Sequence, residues 1–287
     1  MPAVVITGAS TGIGAACAGF LADHGFQVFA GVRNREAGEA LANGRSLRLI
    51  PIPLDVTEEA SIRNAADRVT HHLGHAGLAG LINNAGIAVG SPLEVISIDQ
   101  LRRQFEVNVF GQIAVTQAFL PLLRKGRGRI VNMGSIAGRA TIPLMGPYSA
   151  SKFALEALTN ALRLELQQWG IQVSVIEPGA IATPIWEKSV NAARDLEVAD
   201  DSSAAIGYTE LIMRIKETVE KAADRAIPPD AVVRAVVHAL TASRPRTRYL
   251  VGTDAKIRAW MVKWLPDRLN DRLLTWILKL PREGSRL

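Results

Sequence analysis

The sequence predicts a doubly wound α/β domain, in which a parallel sheet of seven strands carries helices on both faces. Three observations predict it. Short apolar runs alternate with longer stretches of helical period along the 287 residues, the rhythm of strand–helix–strand units. The first apolar run ends in a glycine-rich turn that opens a helix, the context in which a glycine motif carries meaning. An apolar fraction of 48% supplies one sizeable core, and this length fits one large domain.

The strands are expected at 4–7, 27–32, 47–53, 80–83, 128–133, 172–176 and 248–251, and the helices at 13–24, 58–73, 101–124, 148–169 and 229–241. The stretch 180–226 fits no sheet element, mixes apolar with acidic residues and begins with Thr183-Pro184-Ile185-Trp186; it reads as a mobile helical lid. Residues 1–252 are expected to form one α/β domain, to which the motifs below assign nucleotide binding and catalysis. Residues 253–287 form an extension, in which Trp260, Trp264, Leu265, Leu269, Leu273 and Trp276 make an apolar stripe interleaved with Lys256, Lys263, Arg268 and Arg272. That stripe suits packing on its own domain or a subunit partner, or contact with a membrane surface. Its apolar runs fall far short of the ~20 residues that span a bilayer.

Charge is distributed unevenly. Residues 244–287 hold eleven Lys or Arg against four Asp or Glu, net +7, whereas the preceding 243 residues hold 22 against 23, net −1. The basic character belongs to the tail and the body is close to neutral, so the total of +6 is no argument for nucleic acid as a partner, and none is expected. The N-terminus enters a strand at once, without the pattern of a signal peptide, and a cytoplasmic location is expected. The single cysteine, Cys17, falls on the buried face of the first helix and has no histidine base beside it. His71, His72 and His75 are interrupted by Gly74 and lack companion ligands, so no metal is expected.

The chemistry resides in three segments. In Thr7-Gly8-Ala9-Ser10-Thr11-Gly12-Ile13-Gly14, the glycines permit a tight turn and let backbone N–H groups and a helix N-terminus approach a pyrophosphate. At the end of the second strand, Val32 occupies the position where an NAD-preferring fold carries a carboxylate. The next residue, Arg33, offers a planar guanidinium suited to a 2′-phosphate, so NADP is the expected cofactor, ahead of NAD. Tyr148 and Lys152 are four apart and share a helix face, where an ammonium favours the phenolate. Ser135, past the fifth strand, is able to hydrogen-bond the same substrate oxygen.

With Asn83-Asn84-Ala85-Gly86, Leu54-Asp55-Val56, Asn108 and Pro178-Gly179 followed by Thr183, the chain resembles the short-chain dehydrogenase/reductase family over about residues 3–252. The resemblance implies a Rossmann domain with Tyr148 as general acid or base. It implies that Lys152 lowers the pKa of Tyr148 and binds the nicotinamide ribose, that Ser135 positions the substrate oxygen, and that Asn108 holds a relay water. Gly8, Ser10, Thr11, Gly12, Ile13 and Gly14 would form the phosphate loop, and Asp55 and Val56 would meet adenine. Asn84, Ala85 and Gly86 would meet the adjoining ribose region, and Pro178, Gly179, Ile181 and Thr183 would line the nicotinamide end. Relatives in the family are commonly dimers or tetramers, so a homo-oligomer is implied. The segments Ile136-Ala137-Gly138, Thr141-Ile142-Pro143-Leu144-Met145 and Ile185-Trp186 are apolar and favour a lipophilic alcohol or carbonyl substrate. The branch containing retinol and 17β-hydroxysteroid dehydrogenases is the most similar. A 3-oxoacyl reductase and a nucleotide-sensing module without turnover are the alternatives.

Overall fold

The computed structural model describes residues 1–183 and 208–280. Its strands are β1 (Ala3–Ile6), β2 (Gln27–Val32), β3 (Leu49–Pro53), β4 (Gly80–Asn83), β5 (Arg129–Met133), β6 (Gln172–Pro178) and β7 (Arg248–Val251). All pair in parallel, in the order β3-β2-β1-β4-β5-β6-β7. The order reverses between β1 and β4, so the crossovers leave in opposite directions and open a crevice at the C-terminal strand ends.

Strand periodicity explains the layers. In β1, Val4 and Ile6 join Val28 and Ala30 of β2 on one face, while Ala3 and Val5 join Phe29 on the other. Both faces are covered by helices, which is why β1 is apolar throughout rather than alternating. The first face packs on α1 (Gly12–Asp23) and the helix Asp230–Thr241; the second packs on α3 (Glu59–Leu73) and α5 (Gly111–Gly126). Cys17 is wholly buried in the first layer, where burial pushes its thiol up to about 12, so it holds no thiolate at neutral pH.

Several elements differ from expectation. A short helix, α2 (Arg35–Ala42), follows β2 and starts at Asn34, whose side chain accepts from Ala37 N. The helix expected at 101–124 begins earlier, as α4 (Ile98–Phe105), because Ser97 and Gln100 form a reciprocal cap. It then widens into a π turn at Glu106–Phe110 before α5. α6 (Gly146–Glu165) ends in a 3₁₀ turn, Leu166–Trp169. Of the expected lid, residues 209–224 form α7 (Thr209–Asp224); Pro184, Ile185 and Trp186 lie outside the described residues. The chain continues through α8 (Asp230–Thr241) to the tail helices α9 (Thr253–Trp264) and α10 (Asp267–Ile277). A satellite cluster joins Leu211, Ile215 and Val219 of α7, Leu274 and Leu278 at the tail, and Ile142 and Leu144.

Candidate active site

The nucleotide end starts from two strand ends clamped together. Thr7 Oγ1 accepts from Asn84 N and Ala85 N (both 2.9 Å), and Asn84 Nδ2 donates to the Thr7 and Gly8 carbonyls (both 3.0 Å). This clamp brings backbone so close that a Cβ on Gly8 would lie 2.8 Å from Ala85 Cα, and one on Gly14 would lie 2.3 Å from Gly8 O. Gly8 and Gly12 take positive φ, +63° and +58°, where side chains are costly. The Thr11 side chain makes no cap bond and the first turn of α1 has no acidic residue. The N–H groups there are therefore left for an anion.

From this loop a cleft of about 620 Å³ runs across the sheet. Gly8, Ser10, Thr11, Gly12 and Ile13 line one end with Arg33, Asp55 and Val56; Asn84, Ala85 and Gly86 line the middle; Ser135, Tyr148, Lys152, Pro178, Gly179, Ile181 and Thr183 line the other end. Arg33 is exposed at the tip of β2, with no hydrogen-bond or ion-pair partner among the described residues, and Val32 beside it is buried. The cradle of close backbone, free N–H groups and an unpaired guanidinium fits a phosphorylated dinucleotide.

Two expected residues do not line the cleft. Gly14 packs α1 against Gly8, as its missing Cβ requires. Asn108 is wholly buried: its Oδ1 accepts from Ile87 N (2.9 Å), and its Nδ2 donates to Ile87 O (3.0 Å) and Ser151 Oγ (3.1 Å). Its amide is thus engaged by Ile87 and Ser151. It belongs to a stripe that the sequence reading missed. Gln104, Asn108, Gln112 and Thr116 recur at every fourth position and all are buried. Gln104 bonds Val89 N and Ile87 O, Gln112 bonds Ala85 O, and Thr116 accepts from Asn83 Nδ2. Four helical residues rise about 6 Å and two extended residues about 6.6 Å. Successive stripe residues therefore meet alternate residues of the segment after β4 and fix the loop Asn84-Ala85-Gly86. The visible signal was the four-residue recurrence of polar side chains within an apolar helix.

At the other end, Tyr148 and Lys152 share one face of α6, and Tyr148 makes a side-chain hydrogen bond with Ser135. The Ser135 hydroxyl also accepts from Ala137 N (3.1 Å), capping the turn Ile136–Gly138. Lys152 Nζ lies 5.7 Å from the Tyr148 ring centre and donates to Met133 O (2.7 Å). Burial pushes Tyr148 above its usual range, an effect the Ser135 hydrogen bond opposes. Burial likewise pushes Lys152 down to about 8, against the pull of Glu156. The expected lowering of the phenol is therefore outweighed here by burial.

The apolar segments expected on the substrate side, 136–138 and 141–145, are not among the residues that line the cleft. Leu144 holds φ +66°, a strained region for a branched residue; its carbonyl accepts from Ser91 N (2.8 Å) and its side chain packs on the satellite cluster. The tail enters the site too. Asp254 Oδ2 accepts from Ala180 N (2.7 Å) beside Gly179, and Arg258 donates to Thr141 O (2.8 Å). Neither contact has a local sequence signal. Among the described residues no cluster of metal ligands gathers.

Comparison with known proteins agrees with this geometry. The family model for short chain dehydrogenase matches residues 2–194. Human retinol dehydrogenase 5 is 38% identical over 290 residues, covering 98% of this chain and 90% of that protein. The NADPH-dependent 3-dehydrocapnine reductase of Ornithobacterium rhinotracheale is 34% identical, covering 96% of each. Among solved structures, a short chain dehydrogenase from Burkholderia cenocepacia in complex with NADP superposes with a TM-score of 0.72 at 27% identity, covering 98% of each chain. The chain belongs to the short-chain dehydrogenase/reductase family of NAD(P)-dependent oxidoreductases, near its retinol dehydrogenases.

Proposed function

We propose that the chain is an NADP(H)-dependent oxidoreductase that interconverts a lipophilic alcohol and its ketone or aldehyde. The observation that carries this reading is the single cleft with unpaired Arg33 at one end and Ser135, Tyr148 and Lys152 at the other. Arg33, with Val32 in place of a carboxylate, supports the phosphorylated cofactor, as do the NADPH-dependent relative and the NADP-bound structure. The apolar cluster that joins Ile142 and Leu144 to α7 and α10 supports a lipophilic substrate, as does similarity to retinol dehydrogenases.

A bound nicotinamide supplies or accepts the hydride. In reduction, Tyr148 gives its phenolic proton to the oxygen that becomes the alcohol, and Ser135 donates a hydrogen bond to that oxygen as charge develops. Lys152 holds the nicotinamide ribose, and its positive charge opposes the upward push of burial on the phenol. The widened turn Glu106–Phe110 contains Asn108, and such turns recur at functional sites; with the amide engaged, a relay water would be held by the turn's backbone.

Two surfaces extend the reading. Ile257, Trp260, Trp264, Trp276 and Ile277 are exposed on α9 and α10 among Lys256, Lys263 and Arg272, a surface suited to the headgroup layer of an anionic membrane. No helix among the described residues is long and apolar enough to cross one. Phe110 and Phe153 are exposed near the start of α5 and on α6, which supports a homo-oligomer joined there. Retinoid, steroid and long-chain carbonyl probes with NADPH, and the matching alcohols with NADP, test the activity. Turnover with these and not with sugars is expected; turnover restricted to NADH or to polar substrates rejects the reading. Salt-sensitive cosedimentation with anionic vesicles, lost on truncation after Gly252, is the expected result for the tail.

A further inference from the structure

Behind Lys152, away from the cleft, lies a buried charge cluster that the reaction described above does not use. Glu156 follows Lys152 by one turn of α6, so the two side chains share a face, and both are almost wholly buried. Lys152 Nζ donates to Met133 O, and Glu156 Oε1 lies 3.1 Å from where a Cβ would stand on Gly134. The two charges therefore flank consecutive residues of the strand end that presents Ser135.

On its other side, Glu156 Oε2 accepts from Arg248 of β7. Arg248 donates also to Glu177 Oε1 and Asn160 Oδ1 (both 3.3 Å). Glu177, wholly buried on β6, is gripped by both arms of Arg139 from the turn after β5. Lys152, Glu156, Arg248, Glu177 and Arg139 thus alternate in sign between the cleft floor and the sheet face that α6 covers. Within this run Glu156 Oε1 has no hydrogen-bond partner although it is buried.

We propose that Glu156 is a positioning residue for the reaction: anchored by Arg248, its carboxylate keeps the Lys152 side chain charged and in place behind Tyr148. This rests on the roles given above to Tyr148 and Lys152. A buried ammonium is costly unless an anion accompanies it, and Glu156 is the group that raises the Lys152 pKa against burial. Glu156 is itself pushed up to about 7 by burial and by Glu177, with Arg248 opposing. Its hold on Lys152 consequently strengthens as pH rises through neutrality, when the carboxyl loses its proton.

The test follows the Lys152 13Cε resonance of the full-length chain through a pH titration, assigned by its absence in Lys152→Met. Glu156→Gln is expected to lower the Lys152 midpoint by about 1 pH unit or more, the effect of losing an opposite charge on the same helix face. Glu156→Asp keeps a carboxylate one methylene further back and is expected to lower it less. An unchanged midpoint in folded Glu156→Gln, or a fall in Glu156→Asp as large as in Glu156→Gln, overturns the proposal. In ketone reduction, the alkaline limb of the Glu156→Gln profile is expected to move to lower pH by the same amount, with NADPH affinity at pH 6 retained. Equal loss at every pH, with loss of thermal stability, makes Glu156 a packing residue and also overturns it. Because the titration needs no turnover, a shifted midpoint in a chain that reduces no carbonyl rejects the reaction and leaves the coupling intact.

Discussion

At the nucleotide end of the cleft, Thr7, Asn84 and the stripe from Gln104 to Thr116 tie strand ends and loop together through directional hydrogen bonds. At the substrate end, Leu144, Ile215 and Leu274 meet through apolar contacts alone, from segments far apart in the chain. Hydrogen bonds tolerate little displacement, whereas apolar packing accepts replacements of similar volume. The first arrangement suits a cofactor of constant shape. The second accepts exchange of its side chains without disturbing the first.

The contrast can be broken at several points. Tyr148→Phe, at the junction, removes the proton and keeps the ring. Turnover is expected to fall by about 10² to 10⁴, while NADPH titration calorimetry gives the native affinity; native turnover would reject the acid–base role. Arg33→Asp, at the nucleotide end, removes a charged hydrogen-bond donor contributing about 1.5 to 3 kcal/mol. NADPH affinity is expected to drop roughly 10- to 150-fold and NADH affinity to rise, both read by fluorescence titration.

Gly14→Ala drives a Cβ into Gly8 O, and backbone cannot yield cheaply. Overpacking of about 1 to 3 kcal/mol is expected, appearing as weaker NADPH binding with KM for the carbonyl less affected. Leu274→Ala reverses that pattern. A stability loss near the low end of the usual 2 to 5 kcal/mol is expected, because the satellite cluster is small. The KM for a lipophilic carbonyl should rise several-fold while NADPH affinity holds; equal effects on both would mean that the two ends are not separable.

The smallest effect is a slope. Lys152 stands at about 8 in the folded chain against about 10.4 when unfolded. Between those values the unfolded chain binds more protons, so this group's contribution raises stability with pH from about 8 to about 10.4. Urea unfolding across that window should show the wild type gaining stability relative to Lys152→Met. A constant difference would mean that Lys152 titrates normally.

All seven strands fall within two residues of where apolar runs place them. The glycine turn, Ser135 and the Tyr148–Lys152 pair were legible because each signal is local: a positive φ that needs glycine, a strand tip, a four-residue helical spacing. α2 escaped because it is one short polar helix capped by Asn34. The stripe at 104, 108, 112 and 116 was present as a pattern, but its partners, residues 83–89, could not be named from one helix.

Near neighbours in the chain set the order of elements, the backbone conformations of the glycine turn and the residue types available for proton and phosphate chemistry. Long-range packing set the rest: Asn108 faces Ile87 instead of the cleft, Asp254 of the tail accepts from Ala180, and Arg248 joins Glu156 to Glu177. Those contacts bridge up to 92 positions in sequence. They exist because the strand order brings elements distant in the chain side by side, as β6 beside β7 does for Glu177 and Arg248, and composition and period carry no record of which distant side chains that adjacency will bring together.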